Sequence, residues 1–280
     1  MEAVFLHEVK PEIRTIYFGG GTPSLLEEHD FEQIFAAISE FYDISSCKEI
    51  TMEANPDDLS PDYVKMIKRF PFNRISIGVQ SFQDNELIAI NRRHTASQAA
   101  EAVMTCYNTG FENISIDLMY GLPDQTIDSF GKTIGKALSL PVKHISSYAL
   151  SWEVGSVLYK KLKQGILKQA SDEFLETCYF ELNNLLMSKD FVRYELSNFS
   201  LQGYESKHNY SYWDGTYYLG LGVLMYELER LFGISKRYYC MYNARKSLKN
   251  GLLVYENNSL KIDEKGLFIA DSICSDLIWA

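Results

Sequence analysis

From Arg14 to Glu195 the 280-residue chain alternates short apolar strands with amphipathic helices, and that alternation restricts it more than any other property. Consecutive strand–helix units lay their strands parallel and join them by right-handed crossovers. Strands read at residues 16–18, 49–53, 73–80, 113–121, 144–148 and 191–195. Between them, Phe31, Ile34, Phe35, Ile38 and Tyr42 recur at helical spacing in a helix that starts at Ser24. Ser60-Pro61 supplies an N-cap and a first-turn proline for the next helix. Helices also read at 84–92, 97–108, 124–140 and 171–189, with a lid-like segment over 154–167.

The strand ends carry the chemistry. The first strand runs into Gly19, Gly20 and Gly21, then Thr22 and Pro23. Glycines there let the backbone take positive φ and approach a ligand closely, although a glycine run alone equally marks a strand-to-helix turn. Three later strands end in Glu53, Gln80 and Asp117. In a parallel barrel these ends share one face, so Thr22, Glu53, Gln80 and Asp117 are expected to converge on one site.

A formal charge of −10 argues against nucleic acid or an anionic membrane as the main partner. No apolar run reaches bilayer length and no signal-like N-terminus is present, so a cytoplasmic protein without membrane insertion is expected. Cys47, Cys106, Cys178, Cys240 and Cys274 are dispersed, with no two at metal-ligand spacing. A reducing compartment with ordinary thiols suits that pattern.

Taken in order, Ile-Tyr-Phe-Gly-Gly-Gly-Thr-Pro (16–23), Thr-Met-Glu-Ala-Asn-Pro (51–56), Asn-Arg-Ile-Ser-Ile-Gly-Val-Gln-Ser-Phe (73–82) and Ile-Asp-Leu-Met-Tyr-Gly-Leu-Pro (116–123) resemble the radical S-adenosylmethionine enzymes. Within them the likeness is to the oxygen-independent coproporphyrinogen III oxidase-like group, above all its heme chaperones of the HemW type. The resemblance implies a partial (β/α) barrel that binds S-adenosylmethionine (SAM) across its strand ends. By position, Gly20, Gly21 and Thr22 would meet the methionine end, Glu53 the amino group or nucleoside, and Gln80 and Asp117 the ribose and adenosine. Arg92 would pair with the carboxylate, for which a guanidinium fork is suited. His208-Asn-Tyr-Ser-Tyr-Trp213 resembles the heme segment of that group, with His208, Asn209, Tyr212 and Trp213 as candidate heme contacts. The implied partners are heme or a porphyrin and a heme-accepting protein. An ordinary packing role for His208 stays open beside the heme reading, as does the choice between heme chaperone and coproporphyrinogen oxidase.

Two departures accompany the resemblance. The family's C-x3-C-x2-C loop holds a [4Fe–4S] cluster ahead of the glycine strand, yet none of residues 1–13 is cysteine. The first barrel strand is likewise expected to be missing, so the metal ligands and a catalytic residue are left unassigned. After Tyr218-Leu-Gly-Leu-Gly222 the chain departs again, running straight into Val223-Leu-Met-Tyr. Residues 1–222 are therefore expected to form the barrel and 223–280 a small winged-helix-like α+β domain. In the latter we expect a helix through Tyr239, Met241, Ala244 and Leu248, a Gly251 cap, a hairpin turned at Asn257-Asn258 and a last helix over 266–277. Read this way, the sequence is a family member without radical chemistry: a non-catalytic heme-binding or transfer protein, or a truncated or degenerate paralogue.

Overall fold

The structure, a computed structural model, describes residues 10, 12–153, 155–212, 216, 234–251, 253–256 and 259–262. The chain divides into two compact units, residues 1–216 and 217–280.

The first unit is a seven-stranded sheet wrapped on one face by helices. Its strands are β1 (Thr15–Phe18), β2 (Glu49–Ala54), β3 (Arg74–Gln80), β4 (Asn113–Tyr120), β5 (His144–Ala149), β6 (Val192–Arg193) and β7 (Asn198–Ser200). They lie in the order β1-β2-β3-β4-β5-β7-β6. Strands β1 to β5 pair in parallel, each with the next. The helices between them are α1 (Glu28–Phe41), α2 (Pro61–Ile67), α3 (Asp84–Ala89), α4 (Ala96–Asn108) and α5 (Ile127–Leu138). Further along come α6 (Val157–Lys163), α7 (Asp172–Met187) and α8 (Lys207–Ser211).

Sequence patterns account for most of these boundaries. Ser60, Thr95, Thr126 and Ser171 each accept a backbone N–H from the first turn that follows, relieving groups that a helix start leaves unpaired. Helix α1 starts four residues later than expected, because Pro23–Leu25 form a separate 3-10 turn and Glu27 and Asp30 make the capping box. Its inner face puts Phe31 and Phe35 against Phe18, Phe70 and Phe72, with ring centroids 5.3–6.0 Å apart. The stretch expected as a lid contains helix α6.

The parallel pattern ends earlier than the sequence suggests. Residues 191–195 give only the two-residue β6, and β7, which the sequence reading missed, pairs antiparallel with both β5 and β6. Beyond β6, the Tyr194 hydroxyl bonds to His144 and the Glu195 carboxylate accepts from Asn198.

In the second unit, α9 (Ile234–Lys249) precedes β8 (Leu253–Glu256) and β9 (Ser259–Ile262), which pair antiparallel. Ala244 and Leu253 are its buried apolar residues among those described. The Asn257-Asn258 turn and the helix expected over 266–277 lie outside the described residues.

Candidate functional site

Along β1 to β5 the side chains divide by polarity. Alternate residues such as Ile50, Met52, Ile75, Ile77, Ile114 and Ile116 turn to the helices and form the core. The residues between them are polar: Thr15 and Tyr17, then Glu49, Thr51 and Glu53, then Arg74 and Ser76. The set continues with Ser115 and Asp117, then His144 and Ser146. The parallel register brings these residues to one face in rows, and side-chain bonds link neighbouring strands across that face. Parallel strands covered on both sides usually read as continuous apolar runs. Here one face is a polar chamber.

The start of the strands forms its floor. Glu49, 1% exposed, accepts from Ser206 Oγ at 3.1 Å, Lys207 N at 2.8 Å, His208 N at 3.1 Å and Thr51 Oγ1 at 3.3 Å. That carboxylate therefore caps α8 and fixes the backbone of His208. His144, fully buried, lies 2.8 Å by Nδ1 from Ser115 Oγ and 2.7 Å by Nε2 from the Tyr194 hydroxyl. Burial, aided by the Arg74 charge, holds this imidazole well below the ordinary histidine pKa and so neutral. Arg74 is 1% exposed and its Nε has no hydrogen-bond partner among the described residues.

The strand ends form the upper part. Gly20 and Gly21 hold φ at +75° and +61°, and a Cβ on either would meet nothing within 4 Å. Gly19 is required for a different reason: a Cβ there would lie 2.5 Å from Tyr17 Cε1 and 3.2 Å from Glu53 Cδ. Glu53 accepts from the Tyr17 hydroxyl at 2.7 Å and from Gly20 N at 3.3 Å, so it ties the loop to the sheet. Thr22 closes the loop, its carbonyl accepting Leu25 N at 3.0 Å.

Asp117 accepts from Ser76 Oγ at 3.4 Å. Burial raises its pKa to about 6 and the Glu53 carboxylate adds to the rise, while a bond from Ser146, the Arg74 charge and Ser76 oppose it. Gln80 sits at a register shift in β3 with φ at +67°, a strained backbone for a non-glycine residue that re-aims its side chain. A Cβ on Gly78 would lie 2.9 Å from Gln80 Nε2, so that glycine gives the Gln80 side chain room, while Arg92 Nη2, at 3.9 Å, would be in ordinary contact. Arg92 donates to Asn55 Oδ1 at 3.2 Å, and burial lowers its pKa against the carboxylates of Asp117 and Asp57.

Glu53 thus bonds the glycine loop, its charge reaches Asp117, and the Asp117 charge reaches Arg92, whose guanidinium lies with the Gln80 amide beside Gly78. The sequence reading missed Tyr17, Asn55, Ser76 and Ser146, which orient them. It also missed Glu49, Arg74 and His144. Strict polar–apolar alternation in Glu-Ile-Thr-Met-Glu (49–53) and Arg-Ile-Ser-Ile (74–77) would have pointed to Glu49, Arg74 and Ser76.

The second predicted group lies against β1. His208 Nδ1 is 3.0 Å from Thr15 Oγ1, Nε2 is 3.0 Å from the Tyr212 hydroxyl, and its ring stacks on Tyr17 with centroids 4.8 Å apart at 19°. Asn209 donates its backbone N–H to Ser206 Oγ at 3.2 Å as part of the α8 cap. Trp213 lies outside the described residues. Tyr17 therefore belongs to both groups.

The chemistry of the upper group suits a SAM molecule. Its ammonium would suit Glu53, its ribose hydroxyls Asp117 and its carboxylate Arg92, and its amino-acid end would need the close approach the glycines allow. The described thiols do not suit an iron–sulfur cluster. Cys106 and Cys178 are buried in α4 and α7, Cys47 bonds to Arg14 and Glu49 carbonyls, and no three His, Cys, Asp or Glu side chains among the described residues gather around a metal position.

A model of the radical SAM superfamily matches residues 2–137. The heme chaperone HemW of Lactococcus lactis is 40% identical over 212 residues, 76% of this chain and 56% of that protein. The Bacillus subtilis HemW is 38% identical over 215 residues, 76% of this chain and 57% of that protein. The chain therefore spans little more than half the length of these relatives. The coproporphyrinogen III oxidase HemN of Escherichia coli superposes with a TM-score of 0.65 at 17% identity, covering 95% of this chain and 78% of that one. At that identity the likeness is one of fold, and it agrees with the partial (β/α) barrel expected from the sequence. No helix among the described residues is long and apolar enough to cross a membrane.

Proposed function

Because this chain belongs to the radical SAM superfamily, within its group of HemW and HemN relatives, we propose that its barrel binds SAM at the strand ends and handles heme or a related porphyrin through the His208 segment. The observation that carries the reading is the convergence of Glu53, Arg92 and Asp117 beside a loop whose glycines leave the approach open. Gly20, Gly21 and Thr22 would meet the methionine end, with Glu53 taking the ammonium. Arg92, oriented by Asn55, would hold the carboxylate with its remaining N–H groups. Gln80 and Asp117 would take the nucleoside, since a carboxylate accepts two ribose hydroxyls.

In the family a cluster-bound iron reduces the sulfonium and SAM supplies the radical. The described cysteines do not fit that cluster, so no radical step is assigned to this chain. What its residues do is bind and orient the cofactor. Heme, offered to His208 and flanked by Tyr212, Asn209 and Trp213, is the cargo in this reading, and a heme-accepting protein is the partner. A smaller C-terminal domain from residue 223, used for packing or partner contact, belongs to the same proposal.

Calorimetry with SAM and its uncleaved analogue S-adenosylhomocysteine tests the first part. Arg92→Met should weaken SAM at least tenfold, about 1.4 kcal/mol. Binding unchanged by both Arg92→Met and Asp117→Asn would overturn the assignment. For the second part, His208→Ala should shift the Soret band and weaken hemin; an identical titration would remove His208 from heme handling.

A further inference from the structure

The His208 ring has both nitrogens engaged, and the two partners differ in a way that places its proton. Thr15 Oγ1 faces Nδ1 at 3.0 Å and the Tyr212 hydroxyl faces Nε2 at 3.0 Å. A neutral imidazole carries one proton, so one nitrogen donates and the other accepts. A phenol, with an ordinary pKa near 10, is a better donor and a poorer acceptor than an alkyl hydroxyl. The better-matched arrangement has Tyr212 O–H donating to Nε2 and Nδ1–H donating to Thr15 Oγ1.

Three further contacts fix the direction of that Nε2 lone pair. The Tyr17 stack sets the ring plane. Glu49 holds the backbone N–H of both Lys207 and His208. Ser206 caps the same turn through Asn209 N at 3.2 Å. Nε2 therefore points away from β1 toward Tyr212, a side chain 52% exposed. Metal-bound imidazoles characteristically donate their other N–H to a fixed oxygen, which sets the tautomer and raises the basicity of the ligating nitrogen.

Resting on the heme reading above, we propose that Thr15 is the positioning residue that makes His208 an Nε2 ligand for heme iron, with the Tyr212 hydroxyl as the placeholder that the iron displaces. Thr15 lies 193 residues before its partner, in the opening strand and outside the His208–Trp213 segment. On heme binding the Nδ1–H bond to Thr15 is kept, the Tyr212 O–H bond to Nε2 is broken, and the nitrogen lone pair passes to the iron. No proton has to leave the ring.

Hemin titrations of the whole chain as wild type, Thr15→Val, Thr15→Ser and His208→Ala test this, read by affinity and by the iron–histidine stretch of the ferrous heme in resonance Raman spectra. Thr15→Val is expected to weaken hemin ten- to a hundredfold and to lower the stretching frequency, and Thr15→Ser to restore both. Imidazole 15N spectra of the heme-free wild type should show the proton on Nδ1. A Thr15→Val protein that keeps wild-type affinity and stretch while His208→Ala loses hemin would overturn the role of Thr15 alone. A proton found on Nε2 would overturn it as well. Wild-type hemin binding by His208→Ala would overturn the heme reading itself.

Discussion

The two groups that share Tyr17 are built on opposite terms. Around the glycine loop, backbone and charge are arranged with space left over: a Cβ on Gly20 or Gly21 would meet nothing within 4 Å among the described residues, and burial, with the Glu53 carboxylate adding, raises the pKa of Asp117 to about 6. Around His208, each nitrogen and one ring face is already matched by Thr15, Tyr212, Glu49 and Tyr17. The first group is open and electrostatically uncomfortable until a cation arrives. The second is closed and must give up a bond to bind anything. A ligand should therefore stabilise the first by relieving repulsion, and enter the second only by exchange.

The sharpest way to break this contrast is to remove the acceptor that closes the second group. Glu49→Ala would leave Ser206 Oγ and the backbone N–H groups of Lys207 and His208 without their buried partner. Stranding such donors should cost about 3 kcal/mol in urea denaturation, with Glu49→Gln recovering part of it. A loss under about 0.5 kcal/mol, the usual effect of a surface change, would mean the segment is not held from below.

The open group is sensitive to volume instead. A Cβ at Gly19 would press on Tyr17 and on Glu53 together. Gly19→Ala should cost about 1–3 kcal/mol of stability by overpacking and should weaken SAM about tenfold by moving the carboxylate. Calorimetry would show this. Unchanged affinity would mean Glu53 does not set the cofactor's position.

How much of this was written in the sequence follows from the same contrast. The strand ends were legible because Gly19–Gly21, Glu53 and Gln80 lie at or next to the ends of the parallel strands β1, β2 and β3, whereas Asp117, expected at an end, sits inside β4, three residues before Tyr120. The His208 surroundings were not. Thr15, Tyr17 and Glu49 meet residues 206–208 across more than 150 positions, and no local pattern encodes that return. The antiparallel β7 was hidden for a related reason: Asn198–Ser200 is three residues long, too short for a periodicity to register. The polar face of the sheet was visible in the alternation of residues 49–53 and 74–77, but the same alternation also marks a strand with one solvated face, so it does not by itself signal a polar chamber.

The smallest expected effect is the most direct measure of the strain in the open group. Burial holds the Asp117 pKa at about 6 in the folded chain, above the ordinary aspartate value of about 3.9. In the unfolded chain the proton is lost at lower pH, so between about pH 4 and 6 the folded state binds more protons and stability declines as pH rises. SAM reverses that balance, because its ammonium and sulfonium favour the ionised carboxylate. Its affinity should rise with pH up to about 6 and level off above, by no more than tenfold per unit. Asp117→Asn should flatten the profile, and Ser146→Ala should move its midpoint upward, since the Ser146 bond favours the charged form. A profile that is already flat in the wild type would mean the carboxylates do not feel the cofactor's charge, and the open group would then be no more than a strand-to-helix turn.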